Sequence, residues 1–315
     1  MRRRGVWAAA VAIVAAAVIL PTAAQADPSF YASPMFGIDT APGGQLLVAD
    51  AGRGIVDADT GALVASLPGV TDIAPIGQGD VLALTSTFAP GAHGALYRVS
   101  KGSTRKLADL QDYELQNDPA GDGTAEGSDP YDLARLAGGK TLIADAAGND
   151  LLVADDTGNI DWVATFPEQD GEQAVPTSVV IGRDGAYYVG ELTGFPATPG
   201  LSRVWRVAPG TRHAHCGTSP ACSVVVSGLT SIIDLAFGPE GKLYVAQLDD
   251  ASWLAVEGGG GVGGSVHACD VATGSCQTVV SHVPILTSIA FRGSTLWGAI
   301  WALVPGQADV VPLTP

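Results

Sequence analysis

Residues 232–247 read IIDLAFGPEGKLYVAQ. An apolar segment runs into Gly238-Pro239-Glu240-Gly241, and a second β-prone segment leaves it. Short apolar runs on both sides of a Gly-rich turn are the pattern of a tight hairpin. The hairpin recurs along the chain. GIDTAPGGQLLVAD occupies 37–50, YDLARLAGGKTLIAD ends at Asp145, and TSVVIGRDGAYYVGE occupies 177–191. Weaker copies are VTDIAPIGQGDVLALT at 70–85 and LTSIAFRGSTLWGAIW at 286–301. Their second segments end at Asp50, Thr85, Asp145, Glu191, Gln247 and Ala299, in steps of 35, 60, 46, 56 and 52 residues. One or two further strand-like runs follow each copy, as Leu201–Val207 and Ser223–Val226 follow the fourth. Four short strands at such a period make one propeller blade. Six copies therefore predict an all-β, six-bladed β-propeller with four-stranded blades over residues 27–315. The last copy leaves only Asp309–Leu313 for its outer strands. The segment around Phe30–Met35 is expected to complete that blade and close the ring. A solenoid would need more uniform repeats and caps.

Composition agrees with this architecture. Of 315 residues, 47% are apolar, enough to bury a large core, and 41 glycines with 20 prolines favour turns over long helices. The formal charge is −16, with 32 acids against 16 bases, which excludes nucleic acid as a partner because binding it requires a basic face. Arg2, Arg3 and Arg4 precede an apolar run from Val6 to Leu20, and Pro21 then leads to Ala24-Gln25-Ala26. This is the layout of a secretory signal peptide over residues 1–26, cleaved after Ala26. Its removal leaves 13 bases against 32 acids, a net −19. No second apolar run is long enough to span a bilayer, so the mature protein is expected to be secreted, without membrane insertion. The cysteines fit an oxidising compartment. Four cysteines allow three pairings, and two local bridges, Cys216–Cys222 and Cys269–Cys276, are the simplest because each pair flanks a turn. Neither spacing is that of a zinc site.

Three stretches carry a family resemblance: SDPYDLARLAGGKTLIADAAGNDLLVAD, GELTGFPATPGLSRVWRV and GKLYVAQLDDASWLAVE. They resemble the ScyD/ScyE family, exported propellers related to the NHL-repeat group. The resemblance runs from about Phe36 to about Trp301 and mostly describes the scaffold. It implies an exported six-bladed propeller and no established reaction.

The connections 86–94, 104–130, 161–176, 192–200 and 248–264 are long, and all fall on the face opposite the Gly-rich turns. Long loops on a rigid scaffold are where propellers carry function. Residues 109–129 hold seven acids and no base, Asp161 lies beside Trp162, and Asp249 and Asp250 lie close to Trp253. Trp162, Phe195, Trp253, Asp249 and Asp250 are accordingly the expected ligand-binding residues. The ligand is expected to be a small molecule or an extracellular or envelope protein. Asp118, Asp122, Glu126 and Asp129 are oxygen donors on a glycine-containing loop, the type of set that takes Ca²⁺, although no EF-hand spacing is present. The same loop also reads as a solvated acidic segment. Asp50, Asp145, Glu191 and Gln247 read as caps of the turn after a strand or as a polar ring at the channel mouth. No nucleophile elbow, HExxH or Walker lysine motif occurs. A competing expectation is a metal-dependent hydrolase or lactonase working at the channel mouth. Tyr131, Thr177 and Ile233 stand where six-bladed sugar lactonases carry the residues of that site. Asp132 and Asp234, one residue along, are the carboxylates this alternative would use after a one-residue slip.

Overall fold

Every hairpin of the repeat is the innermost pair of strands of one antiparallel sheet. The computed structural model describes residues 30–121 and 127–314; the expected signal segment with Ala26, and Asp122 and Glu126, lie outside the described residues. The inner strands are Met35–Thr40, Val70–Gly77, Pro130–Leu136, Pro176–Ile181, Ile232–Phe237 and Ser288–Arg292. Each packs against the inner strand of the next blade, and the sixth packs against the first. The described residues form a ring of six blades, nearly all β, and among them are two short helices, Leu110–Asn117 and Trp253–Glu257. Apolar clusters fill the spaces between blades, such as Leu82, Leu84 and Leu96 of the second against Leu133, Ile143 and Leu152 of the third. The alternation of apolar residues along each strand is what buries both faces of a blade against its neighbours.

Two blades depart from the four-strand form. The sixth has three strands, ending with Asp309–Pro312. Residues 30–35 add no strand to it, yet they latch the ring. The Met35 amide donates to Ala302 O at 2.9 Å, Ser33 Oγ donates to the same carbonyl at 2.6 Å, and Tyr31 packs with Ala290, Ala299 and Ala302. The third blade gains a fifth strand from its neighbour. Ala214–His215, from the connection after the third strand of the fourth blade, pairs parallel to Ile160–Thr165. The bridge Cys216–Cys222 staples that crossing loop, and Cys269–Cys276 staples the outer hairpin of the fifth blade.

Candidate functional site

Five of the six inner strands share one irregularity that builds the channel. Register shifts fall between Met35 and Gly37, Val70 and Asp72, Pro176 and Ser178, and Ile232 and Asp234, with a matching shift opposite Pro130 and Asp132. A bulge breaks strict alternation, so consecutive residues can face the same space. Both layers therefore reach the axis. Phe36, Tyr131, Thr177 and Ile233 line a cavity together with Asp72, Asp132, Asp234 and Ser288.

The upper layer alternates in chemistry around the ring. The hydroxyls of Thr71, Thr177 and Thr287 donate to Pro130 O, Ile232 O and Met35 O of the next blade, at 2.7, 2.8 and 2.9 Å. Between them stand Phe36, Tyr131 and Ile233. Phe36 packs on Phe88 with ring centroids 4.3 Å apart and on Tyr131 at 5.6 Å, so aromatic rings crowd the mouth. Phe88 comes from the connection 86–94, one of the long loops.

The lower layer consists of Gly37, Asp72, Asp132, Ser178, Asp234 and Ser288. Its side chains lace one blade to the next. Asp72 Oδ2 accepts from the Leu133 amide at 3.1 Å, and Asp132 Oδ2 accepts from Val179 at 2.6 Å. Asp234 Oδ2 accepts from Ile289 at 2.7 Å and from Ser288 Oγ at 2.6 Å, and Ser288 Oγ accepts from Ile38 at 3.0 Å. Asp132 and Asp234 also each accept from the amide of the following residue at 2.6 Å. Gly37 makes room for this layer, since a Cβ there would lie 2.1 Å from Asp72 Oδ1. Burial pushes Asp72 up to about 7 and raises Asp132 and Asp234 well above the ordinary carboxylate range, with the mutual repulsion of the three acids adding to it. The space left to the centre of a water-sized sphere is ≈ 10 Å³, about enough for one water molecule.

The expected loop residues are dispersed. Trp253 is buried, 7% exposed, and its Nε1 donates to Thr193 O at 2.9 Å. It is a core residue joining two loops, which corrects its expected place on the surface: the helix Trp253–Glu257 turns the ring inward among Leu192, Ala197 and Val266. Asp249, also buried, accepts from the amides of Ala251, Val262 and Gly263 and shapes its own glycine-rich loop. Asp250 accepts from Gln247 Nε2 and Ser265 Oγ. Trp162 lies within the outer strand Ile160–Thr165 and not in a loop at the mouth. Its ring stacks on His213 at 4.7 Å and lies 5.2 Å from that of His215, while Asp161 holds Arg212 and His213. These side chains fasten the loop that donates the fifth strand. Phe195 stands out, 65% exposed beside a cis Phe195–Pro196 bond, and Asp250 is exposed as well.

The repeated strand-end residues are caps. Asp50 accepts from the Ala32 and Gly52 amides, Asp145 from Asp129 and Gly148, and the Gln247 side-chain carbonyl from Thr230. Each ties an incoming loop to the blade. Glu191 is the exception, holding Arg203 and the Trp205 indole. Of the acidic loop, Asp118 follows the helix Leu110–Asn117 and accepts from the Gly121 amide, and Asp129 accepts from Ser86 Oγ. At the root of that loop, Glu114, Asp145 and Asp150 are buried and each has an oxygen within 4.8 Å of the others'. An all-carboxylate set is of the kind Ca²⁺ prefers. Sequence reasoning missed this trio because Glu114 comes from a helix and the two aspartates flank a turn.

No protein-family profile matches the chain, and no curated protein matches it. Solved structures do. A virginiamycin B lyase from Staphylococcus aureus, determined as a catalytically inactive variant with quinupristin, is 14% identical at a TM-score of 0.55, covering 90% of this chain and 85% of its own. The PQQ-bound aldose sugar dehydrogenase of Streptomyces coelicolor is 13% identical at 0.59, covering 89% and 94%. A chain of a nidogen–laminin complex is 13% identical at 0.53, covering 85% and 84%. The likeness is one of fold. A lyase, a dehydrogenase and a protein-binding module share it, so the fold leaves the choice of function to the site.

Proposed function

We propose that this chain is an exported, ScyD/ScyE-like binding module that takes a small molecule or an extracellular or envelope protein on the rim of its long loops. The observation that carries this reading is the closure of the channel. Phe36, Phe88 and Tyr131 crowd the mouth, and ≈ 10 Å³ remains around the aspartates beneath. A ligand larger than water is left with the rim, where Phe195 offers an apolar side chain in a loop tied to its neighbour through Trp253. The two disulfides agree with an oxidising compartment, and no helix among the described residues is long and apolar enough to cross a membrane. The hydrolase alternative would have to free Asp132 and Asp234 from the backbone amides they already accept. Calcium enters this reading as an ion bracing the root of the acidic loop at Glu114, Asp145 and Asp150.

The test is a thermal-shift screen of sugars, sugar acids, lactones and Ca²⁺ on the purified protein, with hits mapped by hydrogen exchange. The expected hit protects 86–94 and 192–201 and is weakened by Phe195→Ala. Turnover of a lactone, lost on chelation and in Asp132→Asn, would replace the binding reading by the hydrolase one.

A further inference from the structure

The outer side of the third blade carries a groove of ≈ 120 Å³, against ≈ 10 Å³ in the channel. Two cations line it. Lys140 opens the second strand of the blade, in register with Asp155 on the third, and Arg212 reaches over from the fourth blade. Val153 and Ile160 give the groove an apolar wall. It lies at the end of the blade that carries the turns 137–139 and 156–159, away from the rim of long loops.

Arg212 is held in place by the residues that follow it. Ala214–His215 pairs parallel to Ile160–Thr165, the Cys216 amide donates to Thr165 O at 2.9 Å, and the bridge to Cys222 closes the loop. Asp161 accepts from Arg212 Nη1 and lies 2.7 Å from His213 Nε2, whose ring stacks on Trp162. A guanidinium anchored at one nitrogen presents its other N–H groups in a fixed fork.

The acceptors of the groove are already engaged. Asp155 Oδ1 accepts from the amide and hydroxyl of Thr157 at 2.8 and 2.7 Å and from the Asn159 amide at 3.0 Å. Its Oδ2 accepts from Asn159 Nδ2 at 2.8 Å, so the carboxylate is turned into its own loop and not toward Lys140. Asp161 is taken by Arg212, His213 and the Trp162 amide. Among the described residues, the Lys140 ammonium and the Nε and Nη2 of Arg212 have no hydrogen-bond or ion-pair partner. Donors are in excess, and what would complete the site is a ligand that brings acceptors.

We propose that this groove is a second binding site, for a small organic carboxylate whose charged end takes the free N–H groups of Lys140 and Arg212 and whose apolar body lies on Val153 and Ile160. Hydrogen bonds between ionised partners are the strong ones, and a guanidinium fork matches a carboxylate. A cavity of roughly 150 Å³ holds a benzene ring, so the body is a single ring or a chain of a few carbons.

The test uses the full, disulfide-intact protein and two probes of one shape, benzoate and its neutral amide benzamide, followed by amide NMR. Millimolar benzoate is expected to shift Lys140, Asp155, Ile160, Asp161 and Arg212 saturably, and benzamide to leave them in place. Lys140→Met and Arg212→Gln should each weaken benzoate by roughly tenfold. Both side chains are exposed, so the variants should keep the wild-type fold. Equal shifts from benzamide, no saturable shift at these residues, or wild-type affinity in either variant would overturn the proposal. Sulfate binding as tightly as benzoate would also overturn it, by reducing the groove to a plain anion patch.

Discussion

Glu191 occupies the position where other blades carry a cap, and its replacement offers the sharpest test of the packing described above. The side chain is fully buried. Its two oxygens accept from Arg203 Nε at 2.7 Å and Nη2 at 3.1 Å, and Oε1 also accepts from Trp205 Nε1 at 2.5 Å. Arg203 retains 14% exposure and lies over the Trp205 ring at 5.0 Å. Glu191→Ala would orphan the buried indole N–H and leave the guanidinium with Pro167 O, 3.3 Å from its Nη2, and little water. Breaking a buried pair from one side costs about 3–5 kcal/mol, and an orphaned buried donor about 1–3 kcal/mol more. The slight exposure of Arg203 lets water reach it and reduces the first figure, so the expected loss is about 4 kcal/mol. Glu191→Gln keeps an acceptor for one partner and should lose about half as much. Equilibrium unfolding in urea, with the slope held common, measures both. The ranking should be the same at low and high salt, because a pair this enclosed is little screened. A loss below about 1 kcal/mol for Glu191→Ala would place the pair among surface ion pairs and refute the reasoning.

Two further outcomes follow from burial and close approach. Trp253→Ala should destabilise the protein by about 3–5 kcal/mol, whereas Phe195→Ala should be nearly neutral in the same urea titration; equal losses would mean that Trp253 is not the core residue its contacts make it. Gly37→Ala places a methyl against Asp72 and should cost about 1–3 kcal/mol by overpacking, and a neutral result would show that the aspartate layer has room to move.

Much of the architecture could be read from residue order alone. Six hairpins with Gly-rich turns at a 35 to 60 residue period left little choice but a propeller, and the two cysteine pairs were short enough to be local. Site prediction fared worse for physical reasons. A strand is read by alternation, but the bulges at the start of the inner strands bring consecutive residues to the axis, so Tyr131 and Asp132 both line the channel. Asp72 went unnoticed in a weak copy, VTDIAPIGQGDVLALT, although it stands third, as Asp132 and Asp234 do when the copies are superposed. Trp253 reads as a loop residue because a helix of five residues leaves almost no periodic signal. The fifth strand of the third blade comes from a loop some fifty residues later, and nothing local announces such a pairing.

The latch between the ends of the described chain also sets an order of events. Ser33 and Ala302 are 269 residues apart, so at the 5–20 residues per second of synthesis the first must wait on the order of ten seconds to a minute for the second. During that interval the growing chain is a horseshoe with two open flanks. The inner strand of the first blade then has no neighbour on the side the sixth will cover. Closure waits for nearly the whole described chain and is among the contacts longest in sequence, which places a slow, aggregation-exposed phase late in assembly.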